Sequence, residues 1–243
     1  MAYAKVKIYV PDIDAPFKEG SYNYSNPSTK RSNIDMVKRI NTTYGNTIKY
    51  WGSIFDIPSG VITAFIATES GGKADARSSV GCCFGLMQVS PASLWETARK
   101  WSREVSVPLP KEASTLITSK VSDFFRSTAA QPNSAQRVKL ETALLKDTNF
   151  NIMAGTLVLR WLIERFSTFL TGGQLNKAIV AYNAGAYYSV LQVPGTRTTP
   201  NEIPIDSTSL ATNRRVPAET RGYLYKMLGT DGFMSLIYKD KVI

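Results

Sequence analysis

Residues 58–72, PSGVITAFIATESGG, decide how the rest of the chain is read. Pro58 suits the first turn of a helix, where a missing backbone N–H costs nothing, and Gly71-Gly72 stops it. Val61, Ile62, Phe65 and Ile66 recur at helical spacing and form an apolar stripe. Glu69 lies four residues beyond Phe65 and seven beyond Ile62, so it falls on that stripe, where a charge is unexpected. A carboxyl kept from water holds its proton more tightly, because desolvation penalises the anion. That is the property of a general acid working near neutral pH. The plainer alternative is a helix-end glutamate that reaches solvent or pairs with Arg77.

Upstream, helical patterning begins near Asn33, with Ile34, Val37, Ile40, Ile48, Trp51, Ile54 and Phe55 apolar. Residues 1–32 read as an N-terminal arm: VKIYV is a candidate strand, followed by a loop rich in Pro, Gly, Ser, Asn and Tyr. Downstream, residues 96–147 are more polar and read as an internal insertion, with helices expected at 96–105 and 134–145. Further helices are expected at 149–169, at 175–184 with Gly185 as its cap, and at 219–228, after a turn-rich stretch from 193 to 217. The chain thus reads as mostly α, an α+β fold with a small strand element, and one helical domain over residues 33–243.

Composition narrows the chemistry. The 243 residues are 43% hydrophobic and 11% aromatic, enough for a sizeable core. Histidine is absent, which excludes Ser-His-Asp and Cys-His catalysis and the common histidine-based zinc sites. The reading calls for no metal and no cofactor. The only two cysteines, Cys82 and Cys83, are neighbours, and a bridge between neighbours is strained, so free thiols are expected. A net charge of +10 favours a polyanionic partner: nucleic acid, anionic lipid or an anionic cell wall. The basic residues are scattered, as Arg99, Lys100, Arg103 and Lys111 show, so nucleic acid is not expected. No apolar run is long enough for a transmembrane segment. The opening MAYAKVKIYVPDIDAP lacks the apolar run and cleavage site of a secretory signal.

Short motifs follow Glu69 in a telling order. Glu69-Ser70-Gly71-Gly72 is succeeded by Ser78-Ser79-Val80-Gly81, by Gly85-Leu86-Met87-Gln88 and by Pro91. Asn151 with Gly155, Ala181-Tyr182-Asn183-Ala184-Gly185, and Glu219-Thr220 with Tyr223 come later. Together they resemble the soluble lytic transglycosylase catalytic domain, a lysozyme-like fold, over residues 48–228. Two departures stand out: Gly81-Cys82-Cys83-Phe84-Gly85 is longer and more apolar than the usual link before GLMQ, and the span to AYNAG is enlarged by residues 96–147.

The resemblance implies that Glu69 is the catalytic acid and base, and that Ser70 positions substrate or the glutamate. Gln88 and Asn183 would offer polar groups to a sugar's acetamido group. Tyr182 and Tyr223 would supply an apolar face and a hydroxyl near the carboxylate, and Met87 would line the floor. It further implies cleavage of the β-1,4 bond between MurNAc and GlcNAc in peptidoglycan glycan strands, leaving 1,6-anhydro-MurNAc ends. A hydrolytic, goose-type lysozyme, with Asp75 as the nearest second acid, is the first rival. A non-catalytic basic structural or wall-binding protein is the second. Without a secretory signal, a phage-type route to the wall is expected, as an endolysin released through a holin or a virion-associated enzyme, with a bacterial secretion-apparatus enzyme as the alternative. In the virion-associated case the arm or the 96–147 segment would contact virion proteins.

Overall fold

The computed structural model describes residues 2–3, 6–7, 27–166, 173–185 and 216–243. Its elements are β1 (Val6–Lys7), α1 (Pro27–Ile54), α2 (Ser59–Glu69), α3 (Pro91–Glu104), α4 (Lys111–Lys120), α5 (Ser134–Lys146) and α6 (Thr148–Arg165). They continue as β2 (Gly173–Gln174), α7 (Leu175–Ala184), α8 (Ala218–Leu228) and α9 (Phe233–Tyr238). The fold is mostly helical. Its described strand content is one parallel pairing, Val6 opposite Gly173 and Lys7 opposite Gln174. No helix among the described residues is long and apolar enough to cross a membrane.

Helix α2 is the hub. Every residue from 60 to 68 is buried, so the helix is enclosed on all sides instead of showing the single stripe that its spacing suggested. The reason lies between the large apolar residues: Gly60, Ala64 and Ala67 are small, and Thr63 and Thr68 satisfy their hydroxyls on the carbonyls of Ser59 and Ala64. Small residues and self-satisfied hydroxyls let neighbours approach from every direction. Those neighbours are α1, α8 and α9.

Helix α1 starts at Pro27, six residues before its apolar pattern begins; Arg31 and Ser32 in between are exposed, and Lys30 pairs with Asp231 and Asp240 at 2.9 Å each. The described part of the arm packs on the body: the Tyr3 ring meets Trp101 edge-on at 6.4 Å, and the Arg160 guanidinium lies 4.8 Å from its centre. Residues 8–10 of the expected strand, 167–169 of the expected helix and most of the turn-rich stretch lie outside the described residues.

Segment 96–147 is built into the core. Trp101, Ala113, Ile117, Val121, Phe124, Leu140 and Leu144 are all buried. The indole N–H groups of Trp95 and Trp101 donate to the carbonyls of Ala129 and Val107, at 3.1 and 2.8 Å. Two of its helices begin where side chains satisfy the first backbone N–H groups. Ser90 accepts from Ser93 N ahead of α3, and Asn133 and Gln136 form a reciprocal capping box on α5.

Helix α6 holds the loop that floors the site. Asn151 is buried, and its amide donates to the carbonyls of Phe84 (2.8 Å) and Leu144 (2.9 Å) while its oxygen accepts from Met87 N (2.9 Å). Gly85, at φ +73°, leaves room for that amide; a Cβ there would collide with it. Gly155 does the same for Met87, whose Cβ and Sδ would stand 2.5 Å from an added Cβ. Replacing Asn151 by leucine preserves volume but strands three buried backbone groups. The expected cost is about 3 kcal/mol, a fall in melting temperature of about 6–12 °C, read by circular dichroism. A change within 1 °C would show that the clamp is dispensable.

Candidate active site

Helix α2 ends on its glutamate, and the chain reverses immediately. Ser70 Oγ donates to Ile66 O (3.1 Å) and accepts from Gly72 N (3.1 Å), tying the turn to the helix end. Gly71 and Gly72 take φ of +62° and +80°, which other residues adopt at a cost. A Cβ on Gly72 would come within 2.7 Å of Ile40. Ser70 thus positions Glu69 through the backbone.

The Glu69 carboxylate meets α8. The Tyr223 hydroxyl donates to Glu69 Oε1 at 2.6 Å. One turn along α8, Lys226 Nζ donates to the carbonyl of Thr68 at 2.7 Å. Burial pushes the Glu69 carboxyl up from 4.5 to about 7, against the opposing effects of the Tyr223 hydrogen bond and the Lys226 charge, with Glu219 reinforcing burial. Arg77 is not paired with Glu69; its guanidinium lies 5.4 Å from the centre of the Phe84 ring. Burial and the nearby Glu69 hold the phenols of Tyr182 and Tyr223 well above their ordinary range, so both remain neutral.

Two cavities flank this point and share Gln88. One, of ≈ 630 Å³, is lined by Glu69, Ser70, Arg77, Ser78, Gln88 and Lys226 among others; Glu69 is the only carboxylate among its described lining residues. The other, of ≈ 670 Å³, takes in Cys83, Gln88, Glu96, Trp161, Tyr182 and Asn183. Asp75 is exposed and lines neither.

The residues expected from sequence come together here, with duties that differ in detail. Gln88, at φ +47°, donates through Nε2 to Ala76 O (3.1 Å) and Gly85 O (2.8 Å), so what it retains for a ligand is its carbonyl oxygen. Asn183 accepts from the Thr220 hydroxyl through Oδ1 at 2.7 Å, which leaves its NH₂ to offer. An acceptor and a donor are what a secondary amide needs. The Tyr182 hydroxyl donates to Met87 O (2.9 Å), and its ring packs on Phe65 at 4.8 Å. Met87 is wholly buried and lies beneath the floor, not on it.

Lys226, Asn151 and Thr220 have site roles that sequence reading did not assign. Lys226 stands three residues after Tyr223 on one helix, the spacing that puts two side chains on one face. Asn151 is a lone buried amide within a helix whose stretch from 150 to 163 is otherwise largely apolar and entirely buried.

Comparison with known proteins follows the same line. A family model, the transglycosylase SLT domain, matches residues 46–117 and 124–192, more than half of the chain. Among solved structures, the 70 kDa soluble lytic transglycosylase of Escherichia coli is 20% identical with a TM-score of 0.53, over 88% of this chain and 29% of that one. An inactive mutant of the lytic transglycosylase Slt from Pseudomonas aeruginosa is 23% identical with a TM-score of 0.48, over 84% of this chain and 25% of that one. This chain therefore spans less than a third of either protein. The Escherichia coli likeness shows a shared fold. No significant match occurs among curated proteins. Glu69, Gln88, Tyr182 and Asn183 fall inside the matched residues; Tyr223 and Lys226 lie beyond them.

Two outcomes follow from the proton on Glu69. A free site that must hold Glu69 protonated loses kcat/KM as pH rises through about 7. Tyr223→Phe and Lys226→Met each remove an interaction favouring the anion, so each should move this alkaline limb to higher pH; an unmoved limb would separate the limb from Glu69. The second outcome concerns stability. A carboxyl raised in the folded state has no effect below about 4.5, where both states are protonated. As pH rises towards about 7 the unfolded chain ionises first, and stability falls by up to roughly 3 kcal/mol. Glu69→Gln abolishes this loss, so denaturant titration at pH 8 should find the variant more stable than the parent, with the gap closing by pH 4.

Proposed function

The chain belongs to the transglycosylase SLT domain family, and from that premise we propose that it is a peptidoglycan lytic transglycosylase with Glu69 as acid and then base. The observation that carries this reading is a single carboxyl, half-buried, raised to about 7 and hydrogen-bonded to a neutral phenol, with no second carboxylate among the described residues lining its cavity. Protonated Glu69 delivers its proton to the β-1,4 glycosidic oxygen between MurNAc and GlcNAc. The Tyr223 hydroxyl and Lys226 then favour the carboxylate that remains. An oxocarbenium-like sugar without a protein nucleophile is stabilised by its own acetamido oxygen, the substrate-assisted course. The Glu69 carboxylate next takes the proton from the C6 hydroxyl of the same sugar as that oxygen closes on C1. The product is a 1,6-anhydro-MurNAc end, and no water is consumed.

The geometry suits this closure better than hydrolysis. Hydrolysis with inversion uses a second carboxylate to activate water. Asp75 and Glu219 are exposed and line neither cavity, and Glu96 in the adjoining cavity is paired with Lys100 at 2.6 Å. An intramolecular hydroxyl needs no such helper, because ring geometry holds it near C1. Gln88 and Asn183 fit the acetamido groups of the glycan as acceptor and donor.

Digestion of purified peptidoglycan followed by borohydride reduction and mass spectrometry tests the reading. The expected muropeptides carry 1,6-anhydro ends, one water lighter than hydrolytic products and inert to borohydride. Mostly reducible MurNAc ends would replace the proposal with a lysozyme. Glu69→Gln should lower turnover by about 10²–10⁴-fold or more while the fold is kept.

A further inference from the structure

Cys82 and Cys83 have no part in the chemistry above, yet they sit at its edge. Their Sγ atoms are 2.6 Å apart, and both thiols are free. Cys82 is exposed, whereas Cys83 is half-buried and lines the cavity that also holds Gln88, Tyr182 and Asn183. The loop carrying them is held by one side chain: Ser78 Oγ accepts from the backbone N–H of Cys82 and of Cys83, each at 3.1 Å. Ser78 N in turn donates to Cys83 O at 3.0 Å. Ser78 and Ser79 line the cavity of Glu69. A single loop therefore borders both halves of the cleft, and Ser78 latches it.

We propose that Cys82 and Cys83 form a covalent modification site, an intramolecular disulfide made by a peroxide, whose closure unlatches this loop and slows turnover. The inference rests on the transglycosylase reading only for its effect on rate. The two thiols are unequal. Burial opposes the Cys82 thiolate, but hydrogen bonds from the Cys83 thiol and Ser78 outweigh it and bring Cys82 below its ordinary value. Burial first, then the bond to Cys82 sulfur, pushes Cys83 up to about 12. Cys82 is thus the nucleophile and Cys83 the proton-bearing neighbour. The Cys82 thiolate attacks a peroxide oxygen; an S–O bond forms, the O–O bond breaks and hydroxide leaves, giving a sulfenic acid. Cys83 sulfur then attacks Cys82 sulfur; the S–S bond forms, the S–O bond breaks, and the hydroxyl departs as water with the Cys83 proton. Two electrons pass from the thiols to the peroxide.

Unlatching follows from covalent geometry. The Sγ atoms must close from 2.6 Å to about 2.05 Å with a Cβ–S–S–Cβ dihedral of about 90°, while the peptide between the two residues holds their Cα atoms about 3.8 Å apart. With that Cα spacing fixed, the ring closes by turning the backbone and side-chain torsions of Cys82 and Cys83, and both N–H groups of that unit are committed to Ser78 Oγ.

The test treats the full chain with hydrogen peroxide and reads three quantities: intact mass, hydrogen exchange across residues 78–88, and release of soluble muropeptides from peptidoglycan. The expected result is a monomer two hydrogens lighter, faster exchange at Cys82 and Cys83, and a several-fold loss of rate, all reversed by dithiothreitol. Cys82→Ser, and Cys82→Ala as its check, should keep the parent's reduced rate and be insensitive to peroxide. A disulfide-linked dimer, a monomer that adds oxygen without losing hydrogen, or an oxidised monomer with unchanged exchange would each overturn the proposal. So would a rate loss that persists in both variants. Absence of activity in the reduced parent would sink the functional reading, while mass and exchange would still decide the modification and the unlatching.

Discussion

Burying Glu69 at the end of α2 removes water from its charged form, and much of the surrounding structure answers that cost. The Tyr223 hydrogen bond and the Lys226 charge return part of the lost solvation, but not all of it. A carboxyl left with a net desolvation penalty keeps its proton near neutral pH, as a general acid must. Full compensation would give a stable anion with nothing to donate. Glu69 retains a proton to give because the compensation stops short.

The same logic governs the turn that faces Glu69. Gln88 sits at positive φ and spends both amide hydrogens on its own loop, while Asn151 reaches up from α6 to hold three backbone groups of that region. Polar groups committed in this way lose their freedom to reorient, so those left over arrive already aimed. A site of this kind spends little ordering energy when a ligand enters.

How much of this was legible in the sequence depended on how sharply each element is punctuated. Helix α7 matched its expected limits because apolar spacing runs from Leu175 to Ala181 and Gly185 takes φ +96°. The carboxylate of Glu69 was legible as a charge on an apolar pattern. Helix α4 was not: of LysGluAlaSerThrLeuIleThrSerLys only Ala113 and Ile117 are buried, too thin a pattern to register. Helix α9, Phe233–Tyr238, is buried over nearly its whole length and too short to show a period. Motif order assembled Gln88, Tyr182, Asn183 and Tyr223, but not which of their atoms are already engaged. Lys226 needed three dimensions, since its partner is a carbonyl 158 residues away.

The sequence separation between Glu69 and Tyr223 also has a consequence in time. The acid is synthesised 154 residues before the hydroxyl that orients it. At ribosomal speeds of about 5–20 residues per second, that gap lasts on the order of 10–30 s. Throughout it, α2 lacks both α8 and α9, two of the elements that cover it, and Glu69 has neither Tyr223 nor Lys226 to shape its proton affinity. A nascent chain thus carries the acid in an unfinished and more hydrated setting, and the cleft is completed only when α8 docks. The surroundings of Glu69 are therefore completed only after Tyr223 has emerged, a by-product of where the chain places the two halves of one hydrogen bond.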